Sequence, residues 1–325
     1  MRVQLIDVDS RIPNLALMKI SAYHKNQGDI VGFDVVDPDL VYSSVIFKKN
    51  KSLAVSQREL YRFMYPDAKF TIGGSGYDLH SKLDDEIEYM QPDYTLYTDV
   101  CSSCGNVKKH CRCMKETEYT TMQYSVGYTT RGCLRNCYFC VVPEKEGKFS
   151  KAQHPEEWHN KDLHKIMFLD NNILLDRDWF FEVTNWCIEN DLHVCFNQGL
   201  DVRLLDVGIA NQLLKMKTWK SVFFAWDHVK DEKVIKEKIE LLKMAGFTKT
   251  KLKSLVQFYV YVNDDSDYDT GVYRCRELKK LWCNAFVMFN IDKEPTSRIQ
   301  KLRRWANLKR LYWSMDISEY NRAVA

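Results

Sequence analysis

From residue 122 onward, short apolar runs alternate with amphipathic segments, and this rhythm restricts the chain to few architectures. The apolar runs fall at 123–128, 165–169, 194–196, 222–225, 255–262 and 285–289. Runs this short read as buried strands rather than helices. Between the later runs, 178–189, 206–216, 233–245 and 272–282 carry apolar residues at helical spacing. In 233–245, for example, Ile235, Ile239 and Leu242 share one face, while Lys233, Glu237 and Glu240 lie on others. Six strands with intervening helices predict an α/β fold, a partial (β/α)6 barrel, followed by a helix over 297–310.

Residues 1–97 show a similar alternation. Strands are expected at 3–8, 30–36, 44–47, 70–72 and 94–97, and helices at 14–26, 56–64 and 83–90. This is the pattern of a small doubly wound, Rossmann-like domain. Gly73, Gly74 and Gly76 follow a strand, where an open backbone could approach a phosphate-bearing ligand. Residues 98–121 are polar and interrupt the rhythm. The expected organisation is a Rossmann-like domain over 1–97, a cysteine-rich linker or knuckle over 98–121, a barrel over 122–296 and a helical extension over 297–325.

The chain has 325 residues, of which 45% are hydrophobic, enough for sizeable cores. A net charge of +3 neither requires nor excludes a nucleic-acid partner. No secretory signal pattern opens the sequence, and no apolar run reaches the ~18–20 residues of a membrane span, so a cytoplasmic protein without a membrane partner is expected. In a reducing compartment, clustered cysteines point to metal rather than disulfides. Seven of the eleven cysteines lie between Cys101 and Cys140; Cys187, Cys195, Cys275 and Cys283 are scattered in apolar segments and read as core.

The most informative stretch is Thr130-Arg131-Gly132-Cys133-Leu134-Arg135-Asn136-Cys137-Tyr138-Phe139-Cys140-Val141-Val142-Pro143. Its C-x3-C-x2-C spacing offers three thiolates from one loop. A cubane cluster usually takes four, so three leave one iron open to another ligand. The loop follows the first strand of the barrel pattern, at the strand end where active sites of such folds collect. A zinc site and unliganded cysteines are the other readings of the spacing alone. With Phe139 just before the third cysteine, the motif resembles the radical S-adenosylmethionine (SAM) superfamily over roughly 122–290. Its flanks look like the methylthiotransferase and cobalamin-dependent branches.

The resemblance implies a [4Fe–4S] cluster on Cys133, Cys137 and Cys140. It further implies SAM bound to the open iron and cleaved by one electron to a 5′-deoxyadenosyl radical, with Phe139 near the adenine. It places an acceptor segment for the SAM amino group at the end of the second strand, here Asp170, Asn171 and Asn172. A helix cap or turn is the alternative for those residues. At the end of the third strand, Gln198 and Arg203 are candidates for the ribose and carboxylate of SAM; an Asp201–Arg203 ion pair is the alternative. Trp226 and the Asn263–Asp265 segment are weaker candidates at the next two strand ends.

The first domain resembles the cobalamin-binding-type domain that precedes many such barrels. The cobalt-ligating Asp-x-His-x-x-Gly signature is absent, and His24 and His80 lie outside such a context, which speaks against cobalamin. The methylthiotransferases carry three N-terminal cysteines, whereas this chain has none before Cys101. Cys101, Cys104, Cys111 and Cys113 supply four thiolates, the set that tetrahedral zinc requires. An auxiliary iron–sulfur cluster and an unliganded loop are alternatives, and His110 is an alternative ligand.

In 297–310, Ile299, Leu302, Trp305 and Leu308 form an apolar stripe. Arg298, Lys301, Arg303, Arg304, Lys309 and Arg310 surround it, as a solvated face or as a grip on tRNA. The expected activity is that of a radical SAM enzyme starting radical chemistry on an unknown substrate, methyl transfer being one outcome, with a flavodoxin- or ferredoxin-type reductant. A tRNA- or nucleotide-modifying member of the same superfamily is one alternative; a non-catalytic metal-bound RNA-binding protein is another.

Overall fold

The computed structural model describes residues 1–113, 117–290 and 293–320. The parts of the expected segments that fall on 114–116, 291–292 and 321–325 lie outside the described residues. The chain forms an α/β structure with parallel sheets and divides into two compact units. The first comprises 1–128, 141–147 and 151–167; the second comprises 129–140, 148–150 and 168–325.

The first unit begins with β1 (Arg2–Asp7), α1 (Leu15–Asn26), β2 (Ile30–Gly32), β3 (Leu40–Ser44), α2 (Lys51–Met64), β4 (Lys69–Gly73) and α3 (Asp85–Glu88). Its sheet has the order β2-β1-β3-β4, and every pairing is parallel. Val3, Leu5, Val41, Leu17 and Met18 are buried in its core. Asn14 caps α1 by accepting from the Leu17 amide at 3.2 Å. Residues 94–97 form a turn, not a strand: their aromatic side chains are apolar enough to mimic one but serve as anchors. The Tyr97 hydroxyl donates to Asp7 at 2.7 Å and that of Tyr94 to the Trp158 carbonyl at 2.7 Å. After β5 (Val100–Cys101) and its antiparallel partner β6 (Tyr119–Thr120) come β7 (Ser125–Gly127), β8 (Thr130–Arg131), α4 (Val142–Glu146), β9 (Ser150–Lys151) and β10 (Lys165–Phe168).

The second unit continues with α5 (Arg177–Glu189), β11 (His193–Phe196), α6 (Val207–Lys215), β12 (Lys217–Thr218) and β13 (Val222–Ala225). Then follow α7 (Glu232–Ala245), α8 (Lys249–Leu255), β14 (Val256–Val262), α9 (Tyr268–Lys280), β15 (Asn284–Phe289), α10 (Ser297–Asn307) and α11 (Lys309–Ser314). β12 pairs in parallel with β11, and the Leu200 amide then donates to the Phe223 carbonyl at 2.8 Å. β13 nevertheless belongs to a separate three-stranded sheet, so the expected (β/α)6 barrel is not seen among the described strands. β13, β14 and β15 pair in parallel in chain order. Six of the seven residues of β14 are buried, which is why it reads as a continuous apolar run rather than an alternating one. Asp176, Asp206, Thr248 and Thr296 cap α5, α6, α8 and α10. Gly246 closes α7 in the left-handed region.

Several elements differ from expectation: β3 covers Leu40–Ser44 rather than 44–47, β2 ends at Gly32 rather than 36, and α2 begins at Lys51 rather than 56. α9 begins at Tyr268 rather than 272, because Gly271 is a packing residue inside the helix: a Cβ there would lie 2.8 Å from Val262. α8 replaces an expected loop. The final helix breaks at Leu308, because Asn307 turns its amide to the edge of β15, accepting from the Val287 amide at 2.6 Å and donating to its carbonyl at 3.1 Å. Among the described residues no helix is long and apolar enough to cross a membrane.

The glycines after β4 serve packing. Gly74 sits at φ +91°, and a Cβ there would lie 2.3 Å from the Val45 carbonyl oxygen; one at Gly76 would lie 2.7 Å from the Phe47 backbone. The turn needs glycine to lie against residues 45–47. Gly74→Ala should destabilise the first unit by about 2–4 kcal/mol, read as a lower thermal midpoint and faster hydrogen exchange at β3 and β4. Unchanged exchange there would refute this packing role.

Candidate metal centres

The loop bearing Cys133, Cys137 and Cys140 lies in the second unit and is fixed by two buried aspartates. Asp170 follows β10 and is 4% exposed. Its Oδ1 accepts from the Thr129 amide at 3.0 Å, the Thr129 hydroxyl at 2.7 Å, the Thr130 hydroxyl at 2.6 Å and the Thr130 amide. Burial raises the Asp170 pKa against the lowering pull of these four donors. Its Oδ2 is buried without a hydrogen-bond partner. Trp179 adds a bond from its indole N–H to the Thr129 carbonyl at 3.2 Å. Gly132, at φ 70°, then turns the chain into the loop.

Asp201, beyond β11, is the second anchor. It accepts from Arg135 Nε within the loop at 2.9 Å and from Arg203 Nε and Nη2 at 2.7 and 3.1 Å. Burial alone would raise its pKa, but the two guanidiniums outweigh that and lower it. Asn172 lies between the anchors: its Nδ2 is 3.9 Å from Cys133 Sγ and 3.5 Å from Asp201 Oδ2, and its Oδ1 is buried without a partner. The Arg135 amide also approaches Cys133 Sγ, at 3.3 Å.

At the other end of the loop, Phe139 stacks on Tyr261 of β14 with ring centroids 4.2 Å apart and planes at 21°. Tyr138 packs edge-on against Phe139 and meets His228. Asp227 accepts from the Tyr261 amide at 3.2 Å. Buried Arg274 donates to the Trp226 and Tyr261 carbonyls at 2.7 and 3.0 Å, tying the ends of β13 and β14 together. Burial, then Cys140 and Asp227, raises the Cys137 pKa. Cys133 and Cys137 are half-buried and Cys140 is exposed.

The structure therefore brings Phe139, Asn172 and Asp201 around the loop. Asp170 faces Thr129 and Thr130, Arg203 is paired with Asp201, and Gln198 is exposed beyond β11. Asn171 follows directly on Asp170 and is half-buried. Trp226 is fully buried, its indole bonded to the His228 carbonyl at 2.8 Å. The sequence reading missed the loop-fixing roles of Asp170 and Asp201 and the partner of Phe139. An aspartate two residues after β10 and another five residues after β11 were the only signal available for the first two.

The second thiol group lies in the first unit. The Sγ atoms of Cys101, Cys104, Cys111 and Cys113 all lie within 4.8 Å of one another, so the group could hold a metal ion. Cys101 and Cys113 are 3.9 Å apart and Cys104 and Cys111 3.8 Å. The Cys104 and Cys113 amides approach the sulfurs of Cys101 and Cys111 at 3.3 and 3.4 Å. The Cys113 amide lowers the Cys111 pKa to about 6. His110 stands apart from the ligand group, its Nε2 buried without a partner. No family model and no curated protein matches this chain.

Asp201→Asn should release Arg135 and destabilise the second unit by about 2 kcal/mol, a modest figure because both arginines are partly solvated. The folded pKa of Asp201 is lowered, so its contribution is present above the ordinary aspartate range and lost as pH falls through the lowered value. Melting curves of wild type and variant should differ at neutral pH and converge in acid. A constant gap across that range would sink the assignment.

Proposed function

We propose that this chain is a radical SAM enzyme with a [4Fe–4S] cluster on Cys133, Cys137 and Cys140. The observation that carries the reading is the anchored loop itself. It presents three thiols beyond the strand ends, held by Asp170 and Asp201, with Phe139 stacked on Tyr261. The parallel pairing of β13, β14 and β15 in chain order, with helices between them, is the repeat from which such a barrel is built.

When bound, such a cluster supplies the electron that cleaves SAM to methionine and a 5′-deoxyadenosyl radical. The chain's own residues then have defined tasks. Asn172, with an unpartnered Oδ1 beside Cys133, is suited to accept from the SAM ammonium. Phe139 and Tyr261 offer an aromatic wall for adenine. Arg203 holds Asp201 and through it keeps Arg135 and the loop in place, while Gln198 is free to meet a ribose. Asp170 binds the strand that feeds the loop. Hydrogen abstraction from an unactivated carbon is the reaction type, with methyl transfer one continuation, fed by a flavodoxin- or ferredoxin-type reductant.

The Cys101–Cys113 group is read as a zinc centre. A tetrahedron with Zn–S bonds of about 2.3 Å has edges of about 3.8 Å, matching the measured 3.8 and 3.9 Å separations. A cubane places its thiolates on different irons and farther apart.

Anaerobic reconstitution with iron and sulfide should load about four irons on the first site. Dithionite with SAM should then yield 5′-deoxyadenosine, and Cys133→Ala should abolish both results. Absence of 5′-deoxyadenosine from iron-loaded protein would overturn the enzyme reading. Separately, the Cys133→Ala/Cys137→Ala/Cys140→Ala variant should retain one zinc per chain, while Cys104→Ser/Cys111→Ser loses it. A brown, iron-containing triple variant would instead assign an auxiliary cluster.

A further inference from the structure

Two stretches of the second unit contain no Asp or Glu, 241–263 and 295–315, and they carry four and six Lys or Arg residues respectively. The fold places them side by side. α8 from the first stretch and α11 from the second border a groove of about 390 Å³ lined by Lys249, Thr250, Lys253, Ser254, Lys309 and Trp313. Three ammonium groups, two hydroxyls and an indole line it, and no carboxylate does.

Two other cations of the same stretches are paired with carboxylates. Arg298 reaches Asp269 at 3.5 Å, and Lys243 reaches Glu240 at 2.6 Å. Lys253 sits 4.2 Å over the Trp313 ring, Lys249 5.1 Å over Trp282, and Lys309 donates to the Ser254 carbonyl at 3.2 Å. Among the described residues none of the three pairs with a carboxylate. Indole rings and a carbonyl hold the ammonium groups in place without neutralising them. Trp282 itself sits at φ 65°, a conformation uncommon for a bulky residue, at the end of α9.

We infer that this groove binds the phosphodiester backbone of a nucleic acid. An exposed lysine gains little from a single anion, because water and salt screen the pair. A polyanion that engages several such lysines at once also releases its condensed counterions, and an open groove favours that ligand over a lone phosphate. Aromatic rings interleaved with the cations fit a strand with accessible bases. The groove adjoins the amino-terminal end of β14, whereas Tyr261 and Phe139 lie toward its carboxyl end. Seven residues at about 3.3 Å each separate the two ends by roughly 20 Å. The inference goes beyond the cluster reading and does not depend on it.

The test uses the full chain and a short fluorescein-labelled single-stranded RNA, with affinity measured by anisotropy over a range of salt. Binding should weaken with salt. Lys249→Glu/Lys253→Glu/Lys309→Glu should reduce affinity at low salt at least about 10-fold and lower the log–log salt slope by about 2, three contacts at about 0.7 each. Lys48→Glu/Lys49→Glu/Lys230→Glu, with the same change in net charge, should leave both nearly unchanged. Lys249→Gln/Lys253→Gln/Lys309→Gln repeats the test should the reversed variant fail to fold. Absence of RNA binding, or equal losses in the control, overturns the proposal. So does binding to phosphatidylserine vesicles in place of RNA, which would assign the groove to a membrane surface.

Discussion

Four donors converge on one oxygen of Asp170, and they come from the two residues that lead into the cysteine loop. Leaving the amides of Thr129 and Thr130 buried without an acceptor would cost on the order of 1–3 kcal/mol each. The carboxylate thereby fixes the direction in which the chain reaches Gly132. From Gly132 a short loop with three cysteines runs to α4, which is one turn long, and Cys140 is exposed. Asp201 makes the second attachment through Arg135, and Tyr261 makes the third by stacking on Phe139. The three anchors follow β10, follow β11 and lie in β14. The loop inherits its rigidity from strand ends that the core already fixes, which is the condition for a site held to sub-ångström tolerance.

The two thiol groups of this chain illustrate how geometry separates metal chemistries that composition leaves mixed. Both use cysteines at short spacing, and both could be written as iron–sulfur or zinc motifs. In one, two short antiparallel strands and amide–sulfur contacts draw four sulfurs together at the edge length of a zinc–thiolate tetrahedron. Four thiols this close cannot all ionise without a cation to offset their mutual repulsion, so the group itself calls for a divalent ion. In the other, three sulfurs are spaced along an anchored loop beside an amide oxygen and an aromatic stack.

Much of the second unit was legible because β14 is buried on both faces and four of the helices are capped by Asp or Thr. Period and punctuation both survive in a single sequence. What escaped were contacts with no local signature. Asn307 looks like an ordinary helical residue until its amide is seen pairing with Val287 across 20 positions. Gly271 and the Asp264–Asp269 run suggested a late start to α9, whereas the small residue is required by Val262 behind it. Gly74 and Gly76 looked like a ligand loop for a similar reason: glycine marks close backbone approach but not which atom approaches. At the site, the cysteines and Phe139 were readable from spacing. Asp170 and Asp201 were not assigned their roles, because a buried carboxylate and a capping one have the same letter.

Charge along β14 carries the functional picture one step further. Its amino end follows Lys249, Lys251 and Lys253, while Asp264, Asp265, Asp267 and Asp269 crowd the segment after its carboxyl end. Asp227 is half-buried beside that same end, bonded to the Tyr261 amide. A polyanion is attracted to one end and repelled from the other, and the two ends are only about two Debye lengths apart at physiological salt, given the strand's length. Phosphates are thus directed away from the cysteine loop, where they would compete for cationic groups such as Arg135 that hold it in place. A nucleic acid bound in the α8–α11 groove could approach the loop only by presenting an extended nucleotide or end there, with its backbone retained at the basic side.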